Sequence, residues 1–390
     1  MKYLVCFFLR HPFSSVHLKK DVGLFPEYLG QFFDKVELLK VGKKKEVPFF
    51  FKKICVKNLF KNKSLYSTNW KLHKSYEVLC IFLSMIYVLK HKEITHIMLF
   101  HVNRYSVYFS LLIKLFFPKK KIYIKIDGSR ATVDDLLSKN GLSQKRKFFL
   151  SIFRKVDLIS IETNQLFSEL ASSPYFQEKL VIVPNGVEKI SKCSIKKEKI
   201  ILSVARFGSY EKNTEFLLRC LEQVDLQDWK VYLVGSIEEP FEENIKQFYK
   251  RRPELRQSVV FMGEIHDAEE LNILYQRASV FILPSRFESF CIASLEAAVN
   301  GNYVIMSDVG AARDLILNER YGHILKNSSE GYQYEEGMAL DCISTLQNVI
   351  NGKTDINNCV EERISYYTEN FTMENIVKKD CFKQWIRLDD

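Results

Sequence analysis

Short, continuous runs of apolar residues alternate with longer helix-type stretches along the whole chain. These runs occupy residues 3–9, 35–39, 94–100, 121–126, 156–161 and 180–183 in the first half, and 199–204, 230–234, 258–262, 279–283, 303–306 and 323–325 in the second. Runs that stay apolar without alternating are typical of parallel strands covered on both faces. Strands that alternate with helices form right-handed βαβ units. The pattern therefore predicts an α/β protein with two Rossmann-like halves.

Turn chemistry marks the boundary between the halves. The sequence Pro184-Asn185-Gly186 is typical of a turn, and a Ser- and Lys-rich stretch follows it. We place the hinge at about residues 184–198. The sequence thus predicts an N-terminal domain over residues 1–185 and a C-terminal domain over 186–371. A last helix over about 372–390, with Ile376, Phe382 and Trp385 as its apolar stripe, is assigned to the N-terminal domain.

Charge is distributed unevenly between the halves. The 390 residues carry 57 Lys and Arg against 47 Asp and Glu, a net charge of +10. Residues 1–185 hold 32 basic and 14 acidic residues, a net of +18, which leaves 25 and 33, a net of −8, for the remainder. The two domains are therefore expected to have different partners.

Composition indicates a soluble protein of the reducing cytosol. The longest apolar stretch, residues 78–89, is too short for a bilayer span, which needs about 20 residues. The N-terminus lacks the features of a secretory signal. The chain contains 9 cysteines with no Cys-x-x-Cys pair, which favours buried thiols over disulfides or a zinc site. We therefore expect a cytoplasmic protein without a membrane-spanning helix.

Several kinds of chemistry are not signalled by any motif. No Gly-x-Gly-x-x-Gly follows a predicted strand, and there is no P-loop, no His-Glu-x-x-His and no Gly-x-Ser-x-Gly. No Asp-x-Asp pair is present to chelate a metal–nucleotide, and the histidines lack ligand spacing. The basic residues of the first half are dispersed, which argues against nucleic-acid binding. We expect no metal and no cofactor.

The segment 281–298 carries the most informative chemistry. A predicted strand ends at Pro284, a loop carries Glu288, and the following helix carries Glu296 in its second turn. Free backbone N–H groups at a helix start bind an anion, most naturally a phosphate. Two carboxylates on either side of a phosphate suit a nucleotide sugar, one on the sugar and one on the ribose. Alternatively, both glutamates are ordinary surface residues of an amphipathic helix.

Two cations lie in the loop after the strand at 199–204. Arg206 and Lys212 sit at the edge where open α/β sheets bind ligands. Arginine offers phosphate a bidentate fork and lysine a point charge, so together they neutralise a diphosphate without a metal. Alternatively, they are two solvated loop cations. The order of this loop and the paired glutamates favours the phosphate interpretation.

These segments resemble the GT-B-fold glycosyltransferases, most closely glycosyltransferase family 4. The resemblance covers essentially all of the second half and rests on residues 183–187, 204–212, 233–235, 260–263, 288–296 and 308–310. It implies two Rossmann-like domains facing across a cleft, with the C-terminal helix crossing back to the N-terminal domain. It also implies a nucleotide-sugar donor held by the C-terminal domain and, as is usual in this family, retention of anomeric configuration.

The resemblance assigns individual donor-binding residues. Arg206 and Lys212 match the diphosphate-binding pair, Glu288 the residue on the donor sugar, and Glu296 the residue on the ribose. The base is expected near Gly263. The helix start is expected to contact the phosphate through Ser289, Phe290, Cys291 and Ile292. The family often has glycine at the positions of Ser289 and Cys291, so side chains there imply a tighter or differently shaped sugar pocket.

The first half resembles the family less, as expected for an acceptor-binding domain. Residues 17–26 look like the loop after the first strand in bacterial polysaccharide transferases of this type. In that interpretation Gly23 lets the backbone approach the reacting centre, Pro26 opens a helix, and Lys20 and Asp21 bind the acceptor. Alternatively, Asp21 caps the helix.

Asp127 is a second candidate catalytic residue. It follows the predicted strand at 121–126, where many relatives place a residue of the catalytic cleft. A carboxylate there can orient an acceptor hydroxyl or act as a general base. A base so placed suits inversion, which conflicts with the retention that the paired glutamates imply. Alternatively, Asp127 caps the next turn.

The basic first half favours an anionic membrane surface. Basic residues next to exposed apolar ones bind such surfaces, each contributing about 1 kcal/mol. The clusters in question are Lys43, Lys44 and Lys45, Lys52 and Lys53, and residues 119–121, near the apolar stretches 48–51 and 111–118. We predict peripheral association with the inner face of the cell membrane; alternatively, the lysines form a solvated face.

Together these observations predict a metal-independent glycosyltransferase of polysaccharide biosynthesis, moving a sugar from a nucleotide-diphosphate sugar to a glycan or lipid-linked oligosaccharide. Two alternatives remain. One is a GT-B-fold sugar-nucleotide epimerase, which needs acid and base residues on both sides of the sugar. The other is a non-catalytic GT-B-like subunit of a transferase complex, which has no use for the full set of donor residues.

Overall fold

Two compact units make up the chain. The structure is a computed structural model that describes residues 1–9, 13–42, 49–61, 70–128, 130–137, 143–188, 196–326 and 332–387. The first unit comprises Met1–Glu188 and Met373–Asp390, and the second comprises Lys189–Thr372. The sequence analysis placed these boundaries at residues 185 and 372. Much of the predicted hinge and the Lys43, Lys44 and Lys45 cluster lie outside the described residues.

Strands occur at all twelve predicted apolar runs. The strands are β1 (Tyr3–Phe8), β2 (Lys35–Gly42), β3 (Phe49–Phe51), β4 (Ile54–Lys61), β5 (His96–Phe100), β6 (Lys121–Ile126), β7 (Leu158–Ile161), β8 (Leu180–Ile182), β9 (Glu198–Val204), β10 (Lys230–Val234), β11 (Val259–Gly263), β12 (Ala278–Leu283), β13 (Tyr303–Ser307) and β14 (Gly322–Leu325). The analysis missed β3, which has only three residues, and β4, in which Lys57 and Asn58 interrupt the apolar residues.

Helices connect the strands. They are α1 (Asp21–Leu29), α2 (Trp70–Lys90), α3 (Arg104–Phe116), α4 (Arg130–Leu137), α5 (Gln144–Ser151), α6 (Asn164–Ala171), α7 (Thr214–Leu221), α8 (Glu242–Arg251), α9 (Ala268–Arg277), α10 (Ile292–Val299), α11 (Ala312–Leu315), α12 (Tyr332–Ile350), α13 (Val360–Phe371), α14 (Met373–Ile376) and α15 (Asp380–Ile386). Among the described residues, no helix is long and apolar enough to cross a membrane.

Each unit is built on a mainly parallel sheet. The first sheet has the order β3-β4-β2-β1-β5-β6-β7-β8, in which only the edge pair β3 and β4 is antiparallel among the described strands. The second sheet has the order β11-β10-β9-β12-β13-β14 and is parallel. In both sheets the order reverses next to the first strand of the unit, between β1 and β5 and between β9 and β12. This is the doubly wound arrangement, which confirms the predicted α/β fold class.

The C-terminal segment completes the core of the first unit. The sequence analysis was wrong to expect one continuous helix, because the segment divides into α14 and α15, which the residues around Lys379 separate. Its predicted stripe is fully packed: Ile376 and Phe382 are buried, and Trp385 stacks edge-on against His96 and Tyr123. His96 Nε2 lies 3.1 Å from the Trp385 carbonyl oxygen. Burial lowers the pKa of His96 to about 4, so its ring is neutral at pH 7.

Gly23 and Pro26 lie inside a helix, which corrects the expectation of a loop. Both are in α1, whose N-cap is Lys20. A Cβ at Gly23 would stand 2.1 Å from the Leu18 carbonyl oxygen, so glycine allows the helix to pack on the preceding turn. The close approach that glycine permits is therefore to the backbone of Leu18. Pro26 is in the interior of α1 and not in its first turn.

Candidate functional site

The most developed site lies at the switch point of the second sheet. Strands β9 and β12 are neighbours there, with Leu202 paired to Phe281 near their carboxyl ends. Ligands of doubly wound sheets bind outside the carboxyl ends of strands at such a point. The loop after β9 carries Arg206 and Lys212, and the loop after β12 carries Glu288. The fold therefore brings together the two loops that the sequence analysis singled out.

Backbone contacts join these two loops. The Arg286 backbone N–H donates to the Glu211 carbonyl oxygen at 2.7 Å. The Arg286 guanidinium Nη1 donates to the Tyr210 carbonyl oxygen at 2.9 Å. A third contact fixes the start of the second loop, because the Ser307 hydroxyl donates to the Ser285 carbonyl oxygen. Hydrogen bonds thus connect the loops after β9 and β12 to each other, and the second loop to the end of β13.

Lys212 and Glu288 form an ion pair across the loops. Lys212 Nζ lies 2.6 Å from Glu288 Oε1, and the Ser285 hydroxyl donates to the same oxygen at 2.7 Å. The Glu288 side chain is 10% exposed and the Lys212 side chain 25% exposed. Charge-assisted hydrogen bonds of this length are stronger than neutral ones. The site therefore presents an ammonium group and a carboxylate in fixed relative positions.

Arg206 lies further out than Lys212. Its guanidinium is 3.3 Å from a Glu238 carboxylate oxygen and 3.5 Å from a Glu211 carboxylate oxygen, and its side chain is mostly exposed. Lys212 is thus paired with Glu288, whereas Arg206 is paired with the carboxylates of Glu211 and Glu238. At these exposures the Arg206 pairs contribute little to stability, which leaves the guanidinium available to an anion.

The start of helix α10 has strained backbone geometry. Cys291, its N-cap, has φ 79° and ψ 76°, in the left-handed region that favours glycine. Its Sγ lies 2.9 Å from the Ser294 hydroxyl oxygen, and burial raises the pKa of the thiol to about 12. The cysteine is therefore a neutral thiol at pH 7. Non-glycine residues in this conformation concentrate at functional sites.

Gly310, in the loop after β13, packs closely against the loop that carries Glu288. It has φ 58°, and a Cβ at this position would lie 2.8 Å from Glu288 Cβ and 2.9 Å from the Phe290 carbonyl oxygen. The next residue, Ala311, donates its backbone N–H to that carbonyl at 3.0 Å. Glycine is thus required for the loop after β13 to approach the loop that carries Glu288.

Glu296, on α10, is held by a hydrogen bond from α9. The Tyr275 hydroxyl donates to Glu296 Oε2 at 3.0 Å. Tyr275 is buried, and burial together with the Glu296 charge raises the pKa of its hydroxyl. Gly263, at the end of β11, has φ 72° and no atom within 4 Å of the position of a Cβ, so it borders open space. Glu296 is thus presented by α10, and Gly263 by the carboxyl end of β11.

A second polar cluster lies at the carboxyl edge of the first sheet. The Lys125 side chain at the end of β6 is fully buried, pairs with the buried Glu162 after β7, and donates to Asn185 Oδ1 at 2.9 Å. Its Nζ is also 3.4 Å from Asp21 Oδ2. Burial opposes the charge of Lys125, but Glu162, Asp21 and Asp127 outweigh it and raise the pKa of the ammonium. Burial raises the pKa of Glu162, and the charges of Asp127 and Asp21 raise it further, although Lys125 lowers it.

Asp127 borders this cluster. Its Oδ2 lies 3.6 Å from His101 Nδ1, and its side chain is 33% exposed. His101, after β5, has φ 64°. Lys20, by contrast, is exposed at the N-cap of α1. The structure therefore brings Asp21 and Asp127 near Lys125, and leaves Lys20 at the surface.

Several residues of these sites were not foreseen. Lys125, Glu162 and His101 in the first unit and Ser285 and Tyr275 in the second carry polar contacts that the motif scan did not use. A lysine inside an otherwise apolar strand and a glutamate directly after another strand are signals that could have identified Lys125 and Glu162. Among the described residues, no group of three His, Cys, Asp or Glu converges on a metal-sized space. Metal independence stays a prediction.

Comparison with known proteins finds a family match within the second unit. Residues 198–337 match the sequence model of the family described as glycosyl transferases group 1. An uncharacterized glycosyltransferase of Methanocaldococcus jannaschii is 33% identical over 128 residues, 32% of this chain and 31% of that protein. An uncharacterized 41.2 kDa protein in the cps region of Klebsiella pneumoniae is 30% identical over 203 residues, 51% of this chain and 49% of that protein. The matches thus span about a third and a half of these relatives.

Solved structures share the fold over nearly the whole chain. Sucrose-phosphate synthase from Thermosynechococcus elongatus superposes with a TM-score of 0.70 at 15% identity, covering 96% of each chain. The Anabaena protein HepE, solved in complex with UDP, superposes with a TM-score of 0.65 at 15% identity, covering 98% of each chain. The fold is that of the GT-B glycosyltransferases, and the resemblance found in the sequence is confirmed at this level. The narrower assignment to glycosyltransferase family 4 stays a prediction.

Proposed function

We propose that this protein is a glycosyltransferase that uses a nucleotide-diphosphate sugar. The observation that carries the proposal is the Lys212–Glu288 ion pair at the switch point of the second sheet, beside the start of α10. An ammonium group suits a diphosphate, and a nearby carboxylate suits sugar hydroxyls. The same segment lies within the family match, and HepE, which shares the fold, was solved with UDP.

Each donor-site residue has a proposed role. Lys212 and Arg206 neutralise the diphosphate, and Lys212 moves from Glu288 toward the phosphate as the nucleotide binds. Glu288 then contacts the donor sugar, while Glu296, oriented by Tyr275, binds the ribose. Backbone N–H groups at the start of α10 add to the positive potential around the phosphate. This set requires no metal, and the family resemblance favours retention of anomeric configuration.

The first unit is proposed to bind the acceptor. Asp127 and Asp21 lie at the carboxyl edge of its sheet, near the buried Lys125. A carboxylate at Asp127 can orient an acceptor hydroxyl. The chemistry suits a glycan or a lipid-linked oligosaccharide, because carboxylates accept hydrogen bonds from sugar hydroxyls.

Peripheral membrane binding is proposed for a surface of the first unit. On α2, Val78, Phe82 and Leu89 are half or more exposed and recur at spacings of four and seven residues, so they share one helix face. At the end of α3, Leu115 and Phe116 are also exposed. The exposed Lys90, Lys92 and Lys119 flank these helices. Apolar residues bordered by lysines suit an anionic lipid surface.

A thermal-shift screen against nucleoside diphosphates and their sugars tests the donor proposal. Stabilisation should rise with ligand as RT ln(1 + [L]/Kd), and EDTA should leave it unchanged. A nucleotide sugar that stabilises the protein should also release nucleoside diphosphate, whereas conversion to an isomeric nucleotide sugar would indicate an epimerase. Absence of stabilisation by any nucleotide would favour a non-catalytic subunit and contradict the proposal.

A further inference from the structure

Two aromatic side chains are exposed beside the Lys212–Glu288 pair. Among the described residues of the second unit, Tyr210 and Phe287 are the large aromatic side chains exposed by more than half, at 67% and 62%. Their ring centroids are 6.2 Å apart, and the ring planes are inclined by 35°. They come from different loops, so their proximity results from the fold. Adjacent exposed apolar side chains that form a continuous patch commonly mark an interaction site.

The two rings are held in a defined arrangement. The Arg286 guanidinium lies 4.7 Å from the centre of the Tyr210 ring and donates to the Tyr210 carbonyl oxygen. The Arg286 backbone N–H fixes the neighbouring Glu211. Cation–π and hydrogen-bond contacts therefore order Tyr210 relative to the loop that carries Phe287. A preformed surface loses less conformational entropy when a ligand binds.

The chemistry of this surface suits a sugar ring. Pyranoses present C–H groups on their faces and hydroxyls around their rims. The two exposed rings offer apolar surface, and the Arg286 guanidinium, which lies over the Tyr210 ring, can donate hydrogen bonds to sugar hydroxyls. The surface also has a defined position. Tyr210 precedes Lys212 by two residues, and Phe287 directly precedes Glu288.

We propose that Tyr210, Phe287 and Arg286 form a carbohydrate platform that stacks a pyranose ring of the acceptor. The acceptor role rests on the proposed function, because it takes Glu288 to hold the donor sugar. A ring on the platform then lies next to the donor sugar and is a contribution of the second unit to acceptor binding. The competing occupant of such a surface is the nucleobase of the donor.

Saturation-transfer NMR on the full chain tests the platform. The probes are the methyl glycosides of glucose, galactose, mannose and N-acetylglucosamine. Transfer to at least one glycoside is expected for the wild type, with about tenfold weaker binding in a Tyr210→Ala, Phe287→Ala double variant. Tyr210→Phe should retain binding, because the ring is kept. Phe148→Ala, which removes an exposed aromatic ring of the first unit, is the matched control and should have no effect.

Thermal shift with UDP and other nucleoside diphosphates separates the two proposals. The double variant should keep the wild-type shift. Loss of that shift would assign the rings to the base and overturn the platform. Absence of saturation transfer in the wild type, or full transfer in the double variant, would also overturn it. If no nucleotide stabilises the wild type while glycosides still depend on the rings, the donor proposal fails and the sugar-binding surface stands.

Discussion

Lys212 Nζ and Glu288 Oε1 are 2.6 Å apart, although 75 residues of chain separate the two side chains. One comes from the loop after β9 and the other from the loop after β12. The parallel pairing of these two strands at the switch point is what brings them together. Without a ligand, the ammonium group of Lys212 and the carboxylate of Glu288 therefore neutralise each other. Because we assign the first to the diphosphate and the second to the donor sugar, substitutions of the two residues should affect binding and turnover differently.

Removing the ammonium group should weaken nucleotide binding. Lys212→Ala is expected to cost about 1.5–3 kcal/mol of binding free energy for a nucleoside diphosphate, the contribution typical of a charged hydrogen bond. Isothermal titration calorimetry measures this. Lys246→Ala, on the exposed face of α8, is the control and should leave affinity unchanged. Equal affinities in the Lys212 variant and the wild type would remove Lys212 from the donor site.

The two glutamates should separate in their kinetics. Glu288→Gln should lower kcat more than it raises donor KM, because the lost charge acts on the reacting sugar. Glu296→Ala should mainly raise donor KM, because ribose contacts are the same in the ground and transition states. Tyr275→Phe, which removes the hydroxyl that orients Glu296, should raise KM in the same direction. The opposite pattern would mean that the two glutamates exchange roles.

A methyl group at Gly310 should disturb Glu288. Gly310→Ala combines left-handed strain with contact to Glu288 and Phe290, so it should lower both turnover and the free energy of unfolding. Gly352→Ala is the matched control: its φ is 69°, but nothing lies within 4 Å of the new Cβ. The control should lose about 1 kcal/mol from backbone strain alone. Gly310→Ala should lose about 1–3 kcal/mol more, as in overpacked sites. Denaturant unfolding and initial rates measure the two effects, and equal losses would contradict the contact.

His96 should make the stability of the first unit depend on pH. Its pKa is about 4 in the folded state and about 6.5 when unfolded, because the folded ring is buried. The unfolded chain therefore binds the proton first, and stability present above pH 6.5 is lost as pH falls toward 4. The loss should approach about 3 kcal/mol. Urea unfolding between pH 7 and 4 measures the slope, which His96→Gln should reduce; an unchanged slope in that variant would assign the effect to other groups.

Liposome binding should depend on the exposed face of α2. Replacing Phe82 and Leu89 by Asp should weaken binding to anionic vesicles and leave nucleotide binding intact, since the donor residues belong to the other unit. Leu340→Asp, at an equally exposed apolar position of α12, is the control. Binding should also fall with salt, because exposed charges are screened over about 8–10 Å. Equal binding to neutral and anionic vesicles would contradict an electrostatic contribution.

The central strands could be predicted from the sequence because a strand buried on both faces is an uninterrupted run of apolar residues. Strands such as β1 and β12 are buried at every position, and almost every position is apolar. The edge strand β3 was missed because it has only three residues, two of them exposed, and β4 was missed because Lys57 and Asn58 interrupt its apolar residues. The break between α14 and α15 was detectable, because Ile376 and Phe382 are six residues apart and would lie on different faces of one continuous helix.

The donor loops were predictable because both charged residues follow strands at the ligand-binding edge. What the sequence could not supply was the pairing between them. Nothing in the spacing of Lys212 and Glu288 indicates a contact, which depends on the order of strands in the sheet. The Lys125–Glu162 pair illustrates the same limit: each residue alone resembles a strand-end charge, and only the neighbouring positions of β6 and β7 show that they neutralise each other in the interior.

The return of residues 373–387 to the first unit has a consequence for biosynthesis. Phe382 and Trp385 belong to the same core as Leu4, Phe25 and Tyr123. A ribosome must therefore make the whole second unit before the first can bury this surface. The second unit is continuous in sequence and can fold before α14 and α15 of the first unit have been synthesised. During that interval the nascent chain exposes an apolar face that chaperones would have to protect, so the first half of the protein is the last to mature.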